Sequence, residues 1–224
     1  MASTTETSGT TQAHGPGATG PPAGEPTVLQ DPTRGFGDPG ALGLAAFALT
    51  TFTLSLFNAG IAPEALEPVV LPLALFYGGF VQLLAGMWEF RKANTFGATA
   101  FGSYGAFWLA FAALVQFVEP DLEASGVSSA QIDTGVGIFL VGWAIFTLYM
   151  LLASLRTNGA LIGVFATLFL TFLLLAVGDL TGASGIVVAG GVVGLLSALV
   201  AWYTSAAMVT NATWGRTVLP IAPR

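Results

Sequence analysis

Between Leu42 and Val209 the chain is a succession of long apolar runs separated by short polar breaks. A helix needs about 20 mostly apolar residues to cross the hydrocarbon of a bilayer. Six runs approach or meet that length: Leu42–Asn58, Val69–Trp88, Ala98–Val118, Thr134–Leu155, Ala160–Val177 and Ile186–Val209. The breaks between them carry Pro63 and Pro68, the Arg91–Asn94 turn, Pro120, Thr157-Asn158-Gly159, and Asp179 to Gly185. The runs are apolar on every face, whereas a helix at the surface of a water-soluble protein keeps a polar stripe. The pattern predicts an all-α integral membrane protein, with six transmembrane helices in residues 36–224.

The polar positions within this pattern mark its chemistry. From Gln82 to Trp108, QLLAGMWEFRKANTFGATAFGSYGAFW, two apolar arms flank Glu89, Arg91, Lys92, Asn94 and Thr95. The arms themselves carry Gln82, Ser103 and Tyr104. Polar side chains in hydrocarbon are costly and tend to face a bundle interior or an aqueous path. On the first run Phe47, Thr51, Leu54 and Asn58 share one helical face; on the second Gly78, Gln82, Gly86 and Glu89 do so. The third has two stripes, Thr95-Thr99-Ser103-Ala106 and Phe101-Tyr104-Trp108-Phe111. On the sixth, Gly190, Gly194, Ala198, Ala201 and Ser205 form a small-residue stripe. Small stripes read first as close helix packing. Thr50, Thr53 and Thr171 read as bonding the carbonyl one turn back on their own helix. Gln82 and Asn58 have amides with no complete local partner, which leaves path lining and helix bridging both open. Glu89, beside Arg91 and Lys92, is either an interfacial ion pair of small value or a proton acceptor or gate at the pore mouth.

Composition and charge narrow the picture. The 224 residues are 54% hydrophobic and only 8% charged, with mean hydropathy +0.78, against roughly 25% charged in soluble domains. Every Lys and Arg falls on one side of the predicted bundle: Arg34, Arg91, Lys92, Arg156, Arg216 and Arg224. The opposite breaks carry only acids: Glu64, Glu67, Glu119, Asp121, Glu123, Asp133 and Asp179. The positive-inside rule then makes the protein multi-pass in the cell membrane with both termini cytoplasmic. Trp88, Trp202 and Trp214 near the cytoplasmic ends read as an interfacial belt. Residues 1–35, rich in Thr, Ser, Gly and Pro, read as a disordered cytoplasmic tail.

The same inventory excludes much. With no cysteine, one histidine in the tail, and no Walker A loop, HExxH or Ser/His/Asp set, the sequence argues against enzyme chemistry and predicts no metal or cofactor site. Six dispersed basic residues form no nucleic-acid patch. The Asn211-Ala212-Thr213 sequon lies on the cytoplasmic side and is discounted as a glycosylation site. No Arg, Lys or His sits mid-membrane to hold an anion. What remains is a pore of hydroxyls, amides and aromatic rings for a small solute that crosses neutral or weakly held. Helix N-termini supply positive potential; Asp38-Pro39 reads as an N-cap followed by Pro at N1, and Asn94 or Thr95 as the cap of the third helix.

Three blocks of this sequence resemble the acetate uptake transporter family, which includes the bacterial succinate–acetate permeases. Asp38-Pro39-Gly40-Ala41-Leu42-Gly43-Leu44 is similar to that family's N-P-A-P-L-G-L. Phe76 to Trp108 is similar to its F-Y-G-G…G-N-T-F-G-x-T-A-F-x-S-Y-G-x-F-W block, with Ala93 at the first glycine of G-N-T-F-G. Gly215 to Pro220 matches G-R-T-V-L-P. The resemblance implies a homohexamer of six-helix protomers in the lipid bilayer, each with its own pore for acetate, related monocarboxylates and sometimes succinate, proton-linked or channel-like. It implies a hydrophobic constriction at Phe47, Tyr104 and Leu168, and a residue governing substrate size at Ala201. Beside it, Thr51, Asn58, Gln82 and Ser103 are the expected pore-lining hydrogen-bonders, and Asp38, Glu89, Asn94 and Thr95 the expected cytoplasmic mouth. Asp38 stands where the family has Asn, adding a negative charge there. The alternative reading is a passive channel for a small neutral solute such as urea or a short amide.

Overall fold

The computed structural model describes residue 2 and residues 35–222. The tail expected over residues 1–35 therefore lies almost wholly outside the described residues. Among the described residues, six helices are long and apolar enough to cross a membrane: α1 Pro39–Asn58, α2 Glu64–Arg91, α3 Thr95–Ala124, α4 Ser129–Ser154, α5 Gly159–Thr181 and α6 Ser184–Trp214. They coincide with the six expected runs but extend further at most ends, because capping residues and polar turns carry the helices past their apolar stretches.

The caps explain where the helices begin and end. Asp38 Oδ1 accepts from the Gly40 N–H at 3.0 Å, with Pro39 at N1, where its missing N–H costs nothing. Asn94 Oδ1 accepts from Gly97 N–H at 3.1 Å, and Asn158 Oδ1 from Leu161 N–H at 3.0 Å. Helices α5 and α6 end on Gly182 and Gly215, with φ of 66° and 64°, the left-handed conformation that glycine adopts without a Cβ penalty. Helix α2 is irregular. It starts as a 3₁₀ stretch over Glu64–Val70 with Pro68 inside and widens to a π-helix over Leu73–Val81. Only Gln82–Arg91 is a regular α-helix.

Neighbouring helices pack in the order α1-α2-α3-α4-α5-α6 and back to α1. Close approaches are made by small residues. A Cβ on Gly86 would strike the Gly102 backbone, one on Gly105 would lie 2.7 Å from Leu83 N, and one on Gly191 would strike the Asn58–Ala59 backbone. Helices in lipid gain little from apolar burial against each other, so contact distance decides how tightly they associate. The packing reading of Gly78, Gly86 and the α6 stripe is what the coordinates show: a Cβ at Gly78 would meet Thr50, and one at Gly194 would meet Ser55. Thr50, Thr53 and Thr171 each bond the carbonyl four residues back at 2.9 Å. The α3–α4 wall is built differently, from large rings: Phe107 lies 5.0 Å from Trp143 and 5.7 Å from Phe139 between centroids.

The antiparallel order puts Arg91, Lys92, Arg156 and Arg216 at one end of the bundle. Glu64, Glu67, Glu119, Asp121, Glu123, Asp133 and Asp179 lie at the other. Trp88 and Trp214 are exposed at the basic end, as a belt requires. Trp202 differs: it packs at a tilt 5.1 Å from Phe52 between ring centroids, because it lies more than three turns inside α6.

Candidate solute pathway

A cavity of about 290 Å³ runs inward from the basic end of the bundle. Asp38, Glu89, Asn94 and Asn158 line its mouth, and Phe47, Gln82, Tyr104 and Leu168 line its depths. Phe47 is eight residues into α1, and Tyr104 and Leu168 are each nine residues into α3 and α5. At 1.5 Å per residue all three lie about 12–14 Å from that end, near mid-bundle. Gln82, nine residues before the end of α2, lies at the same depth. Three helices thus deliver one apolar side chain each to a common level, and a fourth delivers an amide.

The rings at this level are tightly fixed. Phe47 and Tyr104 have centroids 6.1 Å apart, and Tyr104 packs edge-on to Phe146 at 5.2 Å. Thr147 Oγ1 lies 2.7 Å from the Trp143 carbonyl, which can only accept, so its proton goes there. The 2.9 Å contact between Tyr104 Oη and Thr147 Oγ1 therefore has the phenol donating. Tyr104 is thereby locked against α4 by its hydroxyl and presents its ring to the cavity. Thr147 and Phe165, the latter 6.3 Å from Tyr104 between centroids, belong to this level but were not singled out from sequence. Phe165 shares the Leu161–Leu168 face of α5, a purely apolar stripe that looks the same whether it faces a pore or lipid.

At the mouth, Glu89 is only 1% exposed. Its Oε2 accepts from Asn94 Nδ2 at 2.8 Å, and its Oε1 would lie 3.2 Å from a Cβ at Gly40. A Cβ at Gly97 would lie 2.8 Å from the Glu89 Cδ. Glycine at both positions lets this carboxyl seat between the N-termini of α1 and α3. Of the two readings of Glu89, the ion pair with its neighbouring cations is not formed among the described residues: Lys92 Nζ pairs with Asp38 Oδ1 at 3.3 Å, and Arg91 lies over the Phe36 ring. Asn94, not Thr95, caps α3; Thr95 is exposed and lies outside the cavity.

The remaining expected positions divide. Gln82 is 1% exposed with Oε1 unpartnered among the described residues, and Thr51, one turn beyond Phe47, is buried with Oγ1 unpartnered there too. Trp108 Nε1 and Ser197 Oγ are likewise buried without partners. Ser103 is half-buried and off the cavity, since the aromatic stripe of α3 turns inward and the hydroxyl stripe outward. Asn58 sits half-buried at the far, acidic end of α1. Ala201 is wholly buried in helix packing, and it too is off the cavity.

The model of the GPR1/FUN34/yaaH family matches residues 22–223. Acetate permease A of Emericella nidulans is 44% identical over 84% of this chain and 67% of its own length. The succinate-acetate/proton symporter SatP of Escherichia coli is 40% identical over 82% of this chain and 94% of its own. This chain spans about two thirds of the length of its yeast relatives: 66% of the Saccharomyces cerevisiae Ammonia transport outward protein 2, which is 41% identical over 83% of this chain. Among solved structures, that of the bacterial acetate channel SatP superposes with TM-score 0.76 at 40% identity, covering 84% of this chain and 99% of that one.

Proposed function

Because this chain belongs to the GPR1/FUN34/yaaH family, we propose that it transports acetate and related small carboxylates, succinate among them, across a membrane. The observation that carries the proposal is the cavity: it closes on Phe47, Tyr104 and Leu168 with the Gln82 amide beside them, and among the described residues no Lys, Arg or His lines it. A fixed cation there would bind a carboxylate too well to release it. An apolar level flanked by unpartnered amide and hydroxyl groups holds it weakly and sheds water between passages. Gln82 at that level and Thr51 one turn beyond it offer hydrogen bonds to a solute passing there. Relatives named an acetate permease and a succinate-acetate/proton symporter support this solute class.

In this proposal the basic end faces the cytoplasm of the cell membrane, as the positive-inside rule directs. Each protomer of a homohexamer carries its own pore. Glu89 acts at the cytoplasmic mouth, where its buried carboxyl meets every solute leaving the cavity. Uptake of labelled acetate into proteoliposomes, with and without a pH gradient, tests the function; flux no greater than in empty vesicles overturns it. The second reading, a passive channel for a small neutral solute, is favoured by the relative whose name concerns ammonia. Methylamine and urea gradients in the same vesicles separate the two: flux of these solutes without acetate flux selects the neutral channel.

A further inference from the structure

After α6 the chain turns back on Gly215 and lies across the basic end of the bundle. Three anchors hold it. Asn211 Oδ1 accepts from Val218 and Leu219 N–H at 2.7 and 3.0 Å, while its Nδ2 donates to the Leu219 carbonyl at 2.8 Å. Tyr203 Oη donates to the Pro220 carbonyl at 2.6 Å. Gly159 N–H and Ala160 N–H, the first two of α5, donate to the Ala222 and Ile221 carbonyls at 2.9 and 3.4 Å. Asn211, whose sequon suggested nothing of structural use, is the hub of this return.

Two effects on the cavity follow. The side chain of Ile221 forms part of its wall, beside Asn158, Leu161 and Met208. The N–H groups that open a helix attract anions when free, but at α5 they are already taken. Gly159 and Ala160 bond the returning chain, and Leu161 bonds Asn158 Oδ1. The positive end of α5 is thus hidden from a solute in the cavity. Val218, Pro220 and Ala222 are exposed, so directed hydrogen bonds rather than apolar burial keep the segment in place.

We propose that residues 218–222 are a fitted cover on the mouth of the cavity and a specificity element, limiting the size of carboxylate that enters from the basic end. The specificity half of this rests on the transport reading; the cover does not. The chain has no cysteine, so Leu161→Cys provides a single thiol beneath the cover. Its labelling by a charged maleimide is measured in purified protein, alone and combined with Asn211→Ala, with Tyr203→Phe, or with removal of residues 218–224. Gel filtration checks that each variant stays folded. Labelling is expected to quicken at least about tenfold when Asn211 is lost, because that variant removes three hydrogen bonds to the cover. Unchanged labelling in all three overturns the cover. In vesicles, without the Cys, the same variants are expected to raise lactate uptake relative to acetate severalfold. Faster labelling with an unchanged lactate-to-acetate ratio overturns the specificity role. If even the parent protein moves no carboxylate, the transport reading has failed, and the labelling result still decides the cover.

Discussion

Tyr104→Phe removes one oxygen from the middle of the bundle and leaves the ring in place. The lost bond is the one donated to Thr147 Oγ1 at 2.9 Å. Thr147 keeps its own bond to the Trp143 carbonyl, so no donor is orphaned. The cost then falls at the low end of the usual ~0.5–1.5 kcal/mol for a hydrogen bond. If all of it fell on the barrier to passage, flux would change by at most about tenfold. Tyr104→Ala is a different perturbation. It removes a ring packed against Phe47, Trp143, Phe146 and Phe165. Such truncations cost about 3–5 kcal/mol where the void stays empty. Here the void joins a cavity of about 290 Å³, water enters it, and the cost moves toward the lower figure while the proposed constriction is lost. In proteoliposomes the phenylalanine variant is expected to move labelled acetate within about tenfold of the parent, with the same preference over lactate. The alanine variant is expected to lose that preference. A phenylalanine variant slowed more than about a hundredfold, well beyond one hydrogen bond, would refute the strut role and make the hydroxyl itself a handler of solute or proton. An alanine variant with unchanged selectivity would refute the constriction.

Leu168→Ala opens the same level from α5 and should shift preference toward larger carboxylates. Ala201→Val, at a packed position off the cavity, should lower thermal stability without changing selectivity; a pure selectivity change in Ala201→Val would show that the resemblance placed it correctly and the cavity did not. Gly86→Ala forces a Cβ onto the Gly102 backbone and should reduce the yield of folded protein, while Gly102→Ala, with nothing nearer than 3.6 Å, should be tolerated; equal yields from both would contradict the α2–α3 approach. Glu89→Gln keeps the length of the side chain and an acceptor for Asn94 while removing the charge, so the pH profile of uptake should flatten. An unaltered profile removes Glu89 from the mouth's mechanism.

The six helices were legible because hydrocarbon demands a long apolar run and polar turns cannot be hidden in it. The caps at Asp38 and Asn94 and the glycine approaches were legible for local reasons: a cap needs one side-chain oxygen, and a close approach needs no side chain at all. Inside and outside faces were harder to tell apart. Lipid is as apolar as a bundle interior, so the hydroxyl and aromatic stripes of α3 could not be ranked by hydropathy, and Ser103 was placed on the pore although it turns away. Leu168 came from the resemblance alone, and Phe165 on the same face passed unnoticed. One of the two readings of Glu89 paired it by sequence proximity with Arg91 and Lys92, yet its partner is Asn94 across the turn. Asn211 could not be read because its partners lie seven and eight residues on, in a segment with no periodicity.

The separation of charge between the two ends has a thermodynamic consequence for what can pass. The carboxylates gathered at the acidic end set up a negative potential over that end of the bundle. A potential worth about 1.4 kcal/mol per unit charge thins carboxylate anions there about tenfold and concentrates protons by the same factor. The product of the two local concentrations is unchanged. Anion and proton taken together, or the neutral acid, therefore reach the rim as if it were uncharged, whereas a lone anion meets a toll that rises as ionic strength falls. On the proposed transport reading, the rim tilts entry about tenfold toward anion and proton together over the lone anion.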